Sequence, residues 1–172
     1  MDKTSRREHI LEMIGYRKAP LSASLLAHKF NVSRQVIVGD IALLRAQGNE
    51  IIATARGYML PESGEADKFS GKIACRHNSE DTRAELYMIV DSGAVVMDVI
   101  VEHELYGEIT GQLNLKCRND VDTFVNRIAS SEAKLLSELT TGIHLHTVIC
   151  RDGEHFERLR QALDTAGYLF RD

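Results

Sequence analysis

The sequence predicts an α+β chain in two parts: a helix-rich N-terminal third ending in a hairpin, then an open-faced antiparallel sheet with helices on one face. Three observations predict it. Apolar side chains recur at helical spacing in three short runs before Gly48, whereas strictly alternating runs dominate from Gly71 to Val148. Between them Pro61-Glu62-Ser63-Gly64-Glu65-Ala66-Asp67 is polar and contains Pro and Gly, as a linker does. Charge divides at the same place. Residues 1–61 carry nine Lys/Arg against five Asp/Glu, a net +4, and the remainder is −8, within a chain of net charge −4. The expected organisation is therefore 1–61, a linker at 62–69, and a second domain at 70–172.

A basic third on an acidic body suits an electrostatic partner for the first part only. No apolar run is long enough to span a bilayer, and the N-terminus leads into an amphipathic pattern rather than a signal peptide. Cys75, Cys117 and Cys150 are odd in number, widely spaced and lack a Cys-x-x-Cys. This argues against a disulfide framework or thiolate zinc site and for a reducing, cytoplasmic location.

In the first part, Thr4 or Ser5 is expected to cap a helix whose inward stripe is Ile10, Leu11 and Ile14. Pro20 blocks its continuation, and Ser22 opens a short helix through Leu25, Leu26 and Ala27. Ser33 caps a third helix that buries Ile37, Ile41 and Leu44 and stops at Gly48. Ile51-Ile52-Ala53 and Tyr58-Met59-Leu60 pair as a hairpin with Arg56-Gly57 at its tip. Three helices and a hairpin make a winged helix-turn-helix, whose third helix enters the major groove. Ser33, Arg34 and Gln35 lead that helix. Arg can bond bidentately to guanine and Gln to adenine, while Lys29, Arg45 and Arg56 suit phosphate contacts. The run from Leu21-Ser22-Ala23 through Phe30-Asn31-Val32-Ser33-Arg34-Gln35 to Leu44-Arg45 and Gly48 resembles the N-terminal domain of many bacterial repressors, the biotin repressor's among them. The resemblance implies operator double-stranded DNA as partner.

The second part reads β-α-β-β-α-β-α. A strand from Gly71 to His77 puts Ile73, Cys75 and His77 on one face, and a helix opening at Ser79-Glu80-Asp81 turns Leu86, Ile89 and Val90 inward. Two strands follow, with Val95, Met97, Val99 and Val101 inward against Asp98 and Glu102 outward, then Ile109, Gly111, Leu113 and Leu115 inward. Asn119 is expected to cap a helix carrying Val121, Phe124, Val125 and Ile128. After Leu135, Leu136 and Leu139 comes the β-branched stretch Gly142-Ile143-His144-Leu145-His146-Thr147-Val148. A last helix buries Phe156, Leu159 and Leu163, leaving Tyr168-Leu169-Phe170 as an edge strand. The order is similar to that of histidine-containing phosphocarrier proteins, a likeness of fold that carries no function.

His144 and His146, two apart on a strand, project from one face and make half of a metal site. His77 ends a strand on its core-facing parity, and Glu85 lies about two turns into the next helix. Three imidazoles and a carboxylate suit a borderline divalent ion such as Zn, Ni, Fe or Co rather than Mg or Ca. Spacing alone leaves their convergence open. His103 precedes the turn Glu104-Leu105-Tyr106-Gly107-Glu108.

From about residue 70 onward the chain resembles the three-histidine (3H) domain. The matching stretches are His77 with Glu85, His103-x-x-Tyr106-Gly107-Glu108, and Leu136-Ser137-x-Leu139-Thr140-x-Gly142-x-His144-x-His146-Thr147. With the upstream winged helix, nearly the whole chain is similar to the nicotinate-responsive repressors of NAD biosynthesis and niacin salvage. The resemblance implies one divalent transition metal per subunit on His77, Glu85, His144 and His146, nicotinic acid as co-repressor and a homodimer. Effector contacts are expected at His103, Arg76 and Arg118. The chain has Glu104 where the family tends to have proline, which bears on the rigidity of that loop. A regulator in which the ion itself is the effector is the alternative. A hydrolytic metalloenzyme is disfavoured because Glu85 reads as a ligand and no further general base stands nearby.

Overall fold

The computed structural model describes residues 2–61 and 68–171. It divides into two compact units, Met1–Gly64 and Glu65–Asp172. Most of the expected linker, residues 62–67, lies outside the described residues, and Phe69 already belongs to the second unit's first strand.

The first unit holds α1 (Lys3–Tyr16), α2 (Ala23–Phe30) and α3 (Arg34–Ala46), then the hairpin β1 (Ile52–Thr54) and β2 (Gly57–Met59). Ser22 and Ser33 cap α2 and α3 as expected, accepting the N–H groups of Leu25 and Val36. The cap of α1 is Asp2 rather than Thr4 or Ser5: its carboxylate accepts both of their N–H groups, and an anion there also suits the positive end of the helix dipole. Ile10, Ile14, Leu21, Leu26, Ile37, Ile41, Leu44 and Ile51 form the core. Gly57 lets the wing lie against α2's approach, because a Cβ there would sit 2.3 Å from the carbonyl oxygen of Leu21.

One ion pair underlies this unit. Asp40 is buried in the middle of α3, and Arg6 of α1 donates to it through Nε at 2.7 Å and Nη2 at 3.2 Å. The fork fixes the angle between the two helices more narrowly than apolar contacts alone.

The second unit contains β3 (Phe69–Arg76), a 3-10 turn at Ser79–Asp81, α4 (Thr82–Asp91), β4 (Val95–His103), β5 (Gly107–Leu115), α5 (Arg118–Ala129), a 3-10 turn at Leu136–Thr140, β6 (Ile143–Cys150) and α6 (Gly153–Thr165). The sheet is antiparallel in the order β3-β6-β4-β5. Leu169 bridges Cys75, so the last residues cover the outer edge of β3. On the helix-covered face lie Ile73, Val96, Val148 and Cys150, packed against Leu86, Ile89, Phe156, Leu159 and Leu163.

Three local expectations change. Asp98 is buried rather than outward, and it lies where β4 shifts register against β6, between Val96 and Ile100. The shift leaves Val96 paired with Val148 on the helix side but Ile100 paired with Leu145, and the Asp98 carboxylate between them accepts the Thr147 N–H at 2.8 Å. The face turned away from the helices also carries apolar side chains, Val95, Ile143, Leu145 and Ile149, half-buried, and Leu136 of the second 3-10 turn rests against Gly111. Finally, α5 is capped at Cys117 rather than Asn119, with the Asp120 carboxylate accepting the Lys116 N–H.

The Arg6–Asp40 fork generates a prediction. Asp40→Ala should lower the stability of the first unit by about 2 kcal/mol, the scale of hydrogen bonds to charged groups. Arg7→Ala, whose guanidinium is 3.9 Å from Asp40, should change it far less. Amide hydrogen exchange of α1 and α3 in the full chain would measure both.

Candidate metal centre and DNA-reading helix

His77, Glu85, His144 and His146 meet under the helices of the second unit. β3 and β6 pair so that Cys75 lies opposite His144, and the 3-10 turn after His77 swings α4 back over the sheet. Glu85 therefore falls in the first turn of α4, closer to its start than the two turns expected, and it points inward between Leu86 and the strands. It is 0% exposed, and His144 and His146 are each 3% exposed.

The three rings share one arrangement. Each Nδ1 lies against a backbone carbonyl: His77 on Asn78 at 2.8 Å, His144 on Gly142 at 2.9 Å and His146 on Asp98 at 2.6 Å. A carbonyl can only accept, so each Nδ1 carries a proton and each Nε2 is left with its lone pair in the neutral ring. All three Nε2 atoms turn to the same carboxylate. His77 lies 2.7 Å from Glu85 Oε2, while His144 and His146 lie 3.5 and 3.4 Å from Oε1.

Three lone pairs facing an anion repel unless positive charge stands between them. Protons can supply it. Burial opposes charge on His77 and His146, yet Glu85 outweighs burial and raises both above the ordinary imidazole range. Burial would likewise push the Glu85 carboxyl up, but attraction to His146 and bonds to the histidines hold it well below the usual carboxylate range. A divalent cation can supply the charge instead, and the residues fit one. The Nδ1 bonds to carbonyls are the partners that orient ligating histidines, and Glu85 Oε1 is a buried oxygen with no hydrogen bond of ordinary geometry among the described residues.

Gly142 sets up the site from the backbone. Its φ is +88°, and a Cβ there would lie 2.4 Å from the carbonyl oxygen of His77. Only glycine lets β6 begin this close to the end of β3. Sequence reasoning missed a further donor, Cys75, which is fully buried and two residues from His77 on the same face. Its thiol, Glu85 and His144 offer ligand atoms all within 4.8 Å of one another. Burial, then the Glu85 charge, push that thiol far above its usual range. The alternation Cys75-x-His77 was the available signal; the widely spaced cysteines drew attention away from it.

The expected effector residues do not gather there. Arg76 is exposed and, adjacent to His77, projects from the opposite face of β3. Arg118 is clamped to Asp91 by three contacts between 2.6 and 3.1 Å and lies over the Tyr87 ring. Asp91 is six residues beyond Glu85, roughly 9 Å along the helix. His103 closes the β4–β5 hairpin, its Nδ1 accepting the Leu105 N–H and its ring 5.1 Å from that of Tyr106.

In the first unit, Ser33, Arg34 and Gln35 are exposed at the start of α3. Val36 and Leu43, 38% and 51% exposed, extend the same outward surface with apolar contacts of the kind that meet thymine methyl groups. Arg45 is exposed as a phosphate contact requires, and its Nε also donates to the Ile51 carbonyl at 2.7 Å, tying α3 to the entry of the wing. Lys29 is exposed at the end of α2, and Arg56 stands at the wing tip, where its N–H donates to Thr54 Oγ1.

Comparison with known proteins agrees with this division. The family model for the 3H domain matches residues 70–172, and that for an HTH domain matches residues 6–59. The chain is 42% identical over 170 residues to the transcription repressor NadR of Bacillus subtilis, covering 98% of this chain and 94% of that protein. It is 39% identical over 173 residues to the probable transcription repressor NiaR of Thermotoga maritima, covering 99% and 98%.

Two measurements check the site. Gly142→Ala should weaken divalent-ion binding at least about tenfold, as losses of ligand orientation do, with the fold retained by circular dichroism. Ion affinity should also fall as pH drops through the raised histidine values. An Nε2 must be free of its proton to ligate, so protonation competes with the ion. Calorimetric titration across the neutral range reads this directly, and pH-independent affinity would remove the histidines from the ligand set.

Proposed function

This chain belongs to the 3H-domain family, in the branch that carries an N-terminal helix-turn-helix, and from that premise we propose a ligand-gated transcriptional repressor of NAD biosynthesis or niacin uptake genes. The observation that carries the reading is the pairing, in one chain, of an exposed reading helix with a buried three-histidine and carboxylate cluster. Relatives named as transcription repressors over nearly the whole length support a regulator rather than an enzyme.

In this proposal Arg34 and Gln35 read base edges, Lys29 and Arg56 contribute to backbone contacts, and Arg45 holds the wing to the helix that reads. His77, Glu85, His144 and His146 hold one divalent transition ion, which when bound supplies a Lewis-acidic position for an anionic effector. The effector is nicotinic acid. With Arg76 and Arg118 turned elsewhere, the His103 hairpin is the better-placed of the expected protein contacts, since the Gly142 end of β6 and the His103 end of β4 lie at the same end of the sheet.

The working unit is a homodimer, because helix-turn-helix proteins read half-sites about 34 Å apart in pairs. The half-buried apolar face of the sheet supports an association of that kind. Effector binding alters operator affinity only through a difference in affinity between DNA-competent and incompetent arrangements. The second reading, an ion that is itself the effector, is favoured by the depth of the cluster, which a pyridine carboxylate reaches less readily than an ion does.

The test is operator binding by the metal-loaded protein, using the promoter of its own operon, titrated with nicotinate, nicotinamide and a chelator. Nicotinate-dependent binding that a chelator abolishes is expected; binding that follows the ion and ignores every pyridine transfers the role of effector to the ion. Arg34→Ala should cost about 1–3 kcal/mol and relax preference at one base pair, whereas Lys29→Ala should weaken all sequences alike. Unchanged sequence preference in Arg34→Ala and Gln35→Ala would remove α3's leading end from base reading.

A further inference from the structure

The candidate metal centre contains one donor more than the four its sequence motifs single out. Cys75 faces His144 across the β3–β6 pair, is completely buried, and shares with Glu85 and His144 a set of ligand atoms no more than 4.8 Å apart. A buried cysteine alone is ordinary core. Here it borders Glu85, whose buried Oε1 has no hydrogen bond of ordinary geometry among the described residues, with only the His144 and His146 Nε2 atoms near it at 3.5 and 3.4 Å.

Charge points the same way. A divalent ion held by three neutral imidazoles and one carboxylate leaves a net positive charge among side chains at most 4% exposed. Net charge in such surroundings is costly. The other buried acid nearby, Asp98, has its Oδ1 committed to the Thr147 N–H and meets His146 through its carbonyl rather than its carboxylate. A thiolate from Cys75 brings the ligand set to neutrality within the shell itself.

We propose that Cys75 is a ligand of this centre, making it a mixed nitrogen, oxygen and sulfur site that selects a thiophilic ion such as Zn, Co or Ni over Mn or Mg. On loading, the S–H bond breaks, its proton leaves to solvent, and the sulfur electron pair forms the bond to the ion. Nothing is oxidised or reduced. The inference rests on the metal-centre reading above.

Cobalt(II) titrated into the chelator-stripped full chain tests it. Visible d–d bands report occupancy, and a near-ultraviolet sulfur-to-cobalt charge-transfer band reports a thiolate ligand. The expected result is both in the native chain, with the near-ultraviolet band lost in Cys75→Ser while visible bands persist. Should Cys75→Ser misfold, the Cys117→Ser/Cys150→Ser double variant serves instead: it must keep the band, because Cys75 is then the sole thiol. Saturating visible bands without the charge-transfer band overturn the Cys75 assignment and leave the centre standing, as does a band that survives Cys75→Ser. No cobalt uptake by the native chain overturns both.

Discussion

A fully buried carboxylate governs the second unit. Glu85 sits where a helix of this amphipathic pattern would ordinarily place a leucine, and each of the groups around it is an electron-pair donor when neutral. Apolar packing cannot satisfy it, and the main-chain bonds that might have done so are already given to the rings. The protein thus invests a core position in a group that is stable only with positive charge beside it. Burying such a group and leaving it unpaired would cost several kcal/mol. Whatever brings that charge is coupled to the packing of α4 on the sheet, and so to the shape of the unit.

The same logic explains the backbone irregularities nearby. The register shift in β4 looks like a defect in a central strand, but it delivers the Asp98 carbonyl to His146 and the Asp98 carboxylate to the neighbouring N–H. One bulge thereby orients a ring and repairs the hydrogen bonding that it interrupts. Gly142 acts similarly at the other histidine. Its left-handed conformation opens β6 beside His77, and its carbonyl receives the Nδ1 proton of His144. These are constraints on ring orientation written into the main chain, where side-chain substitution elsewhere does not easily disturb them.

Much of this was legible beforehand. Strand parity put His144 and His146 together, and serine caps located two of the three N-terminal helices. The failures share a physical origin. Parity arguments assume regular strands, and Asp98, buried where parity put it outward, lies at the register shift in β4. Spacing shows which side chains share a face but not what else they bond to: Arg45 is exposed and basic, and its Nε donates to Ile51, while Arg118 pairs with Asp91. Asp40 was equally invisible, because a charged residue on a helix is read as solvated until a partner 34 positions away is brought against it.

The covering of β3 by residues 168–170 has a kinetic meaning. Arg76 N–H to Tyr168 and Phe170 N–H to Ala74 are two main-chain bonds at the end of the chain, and the Tyr168 ring stands 5.6 Å from that of His77. Local opening of residues 168–170 would break only these bonds and uncover the His77 side of the cluster, at far less cost than unfolding the sheet. Access to the site then depends on the pairing of residues 168–170 with β3 as well as on the ligands themselves.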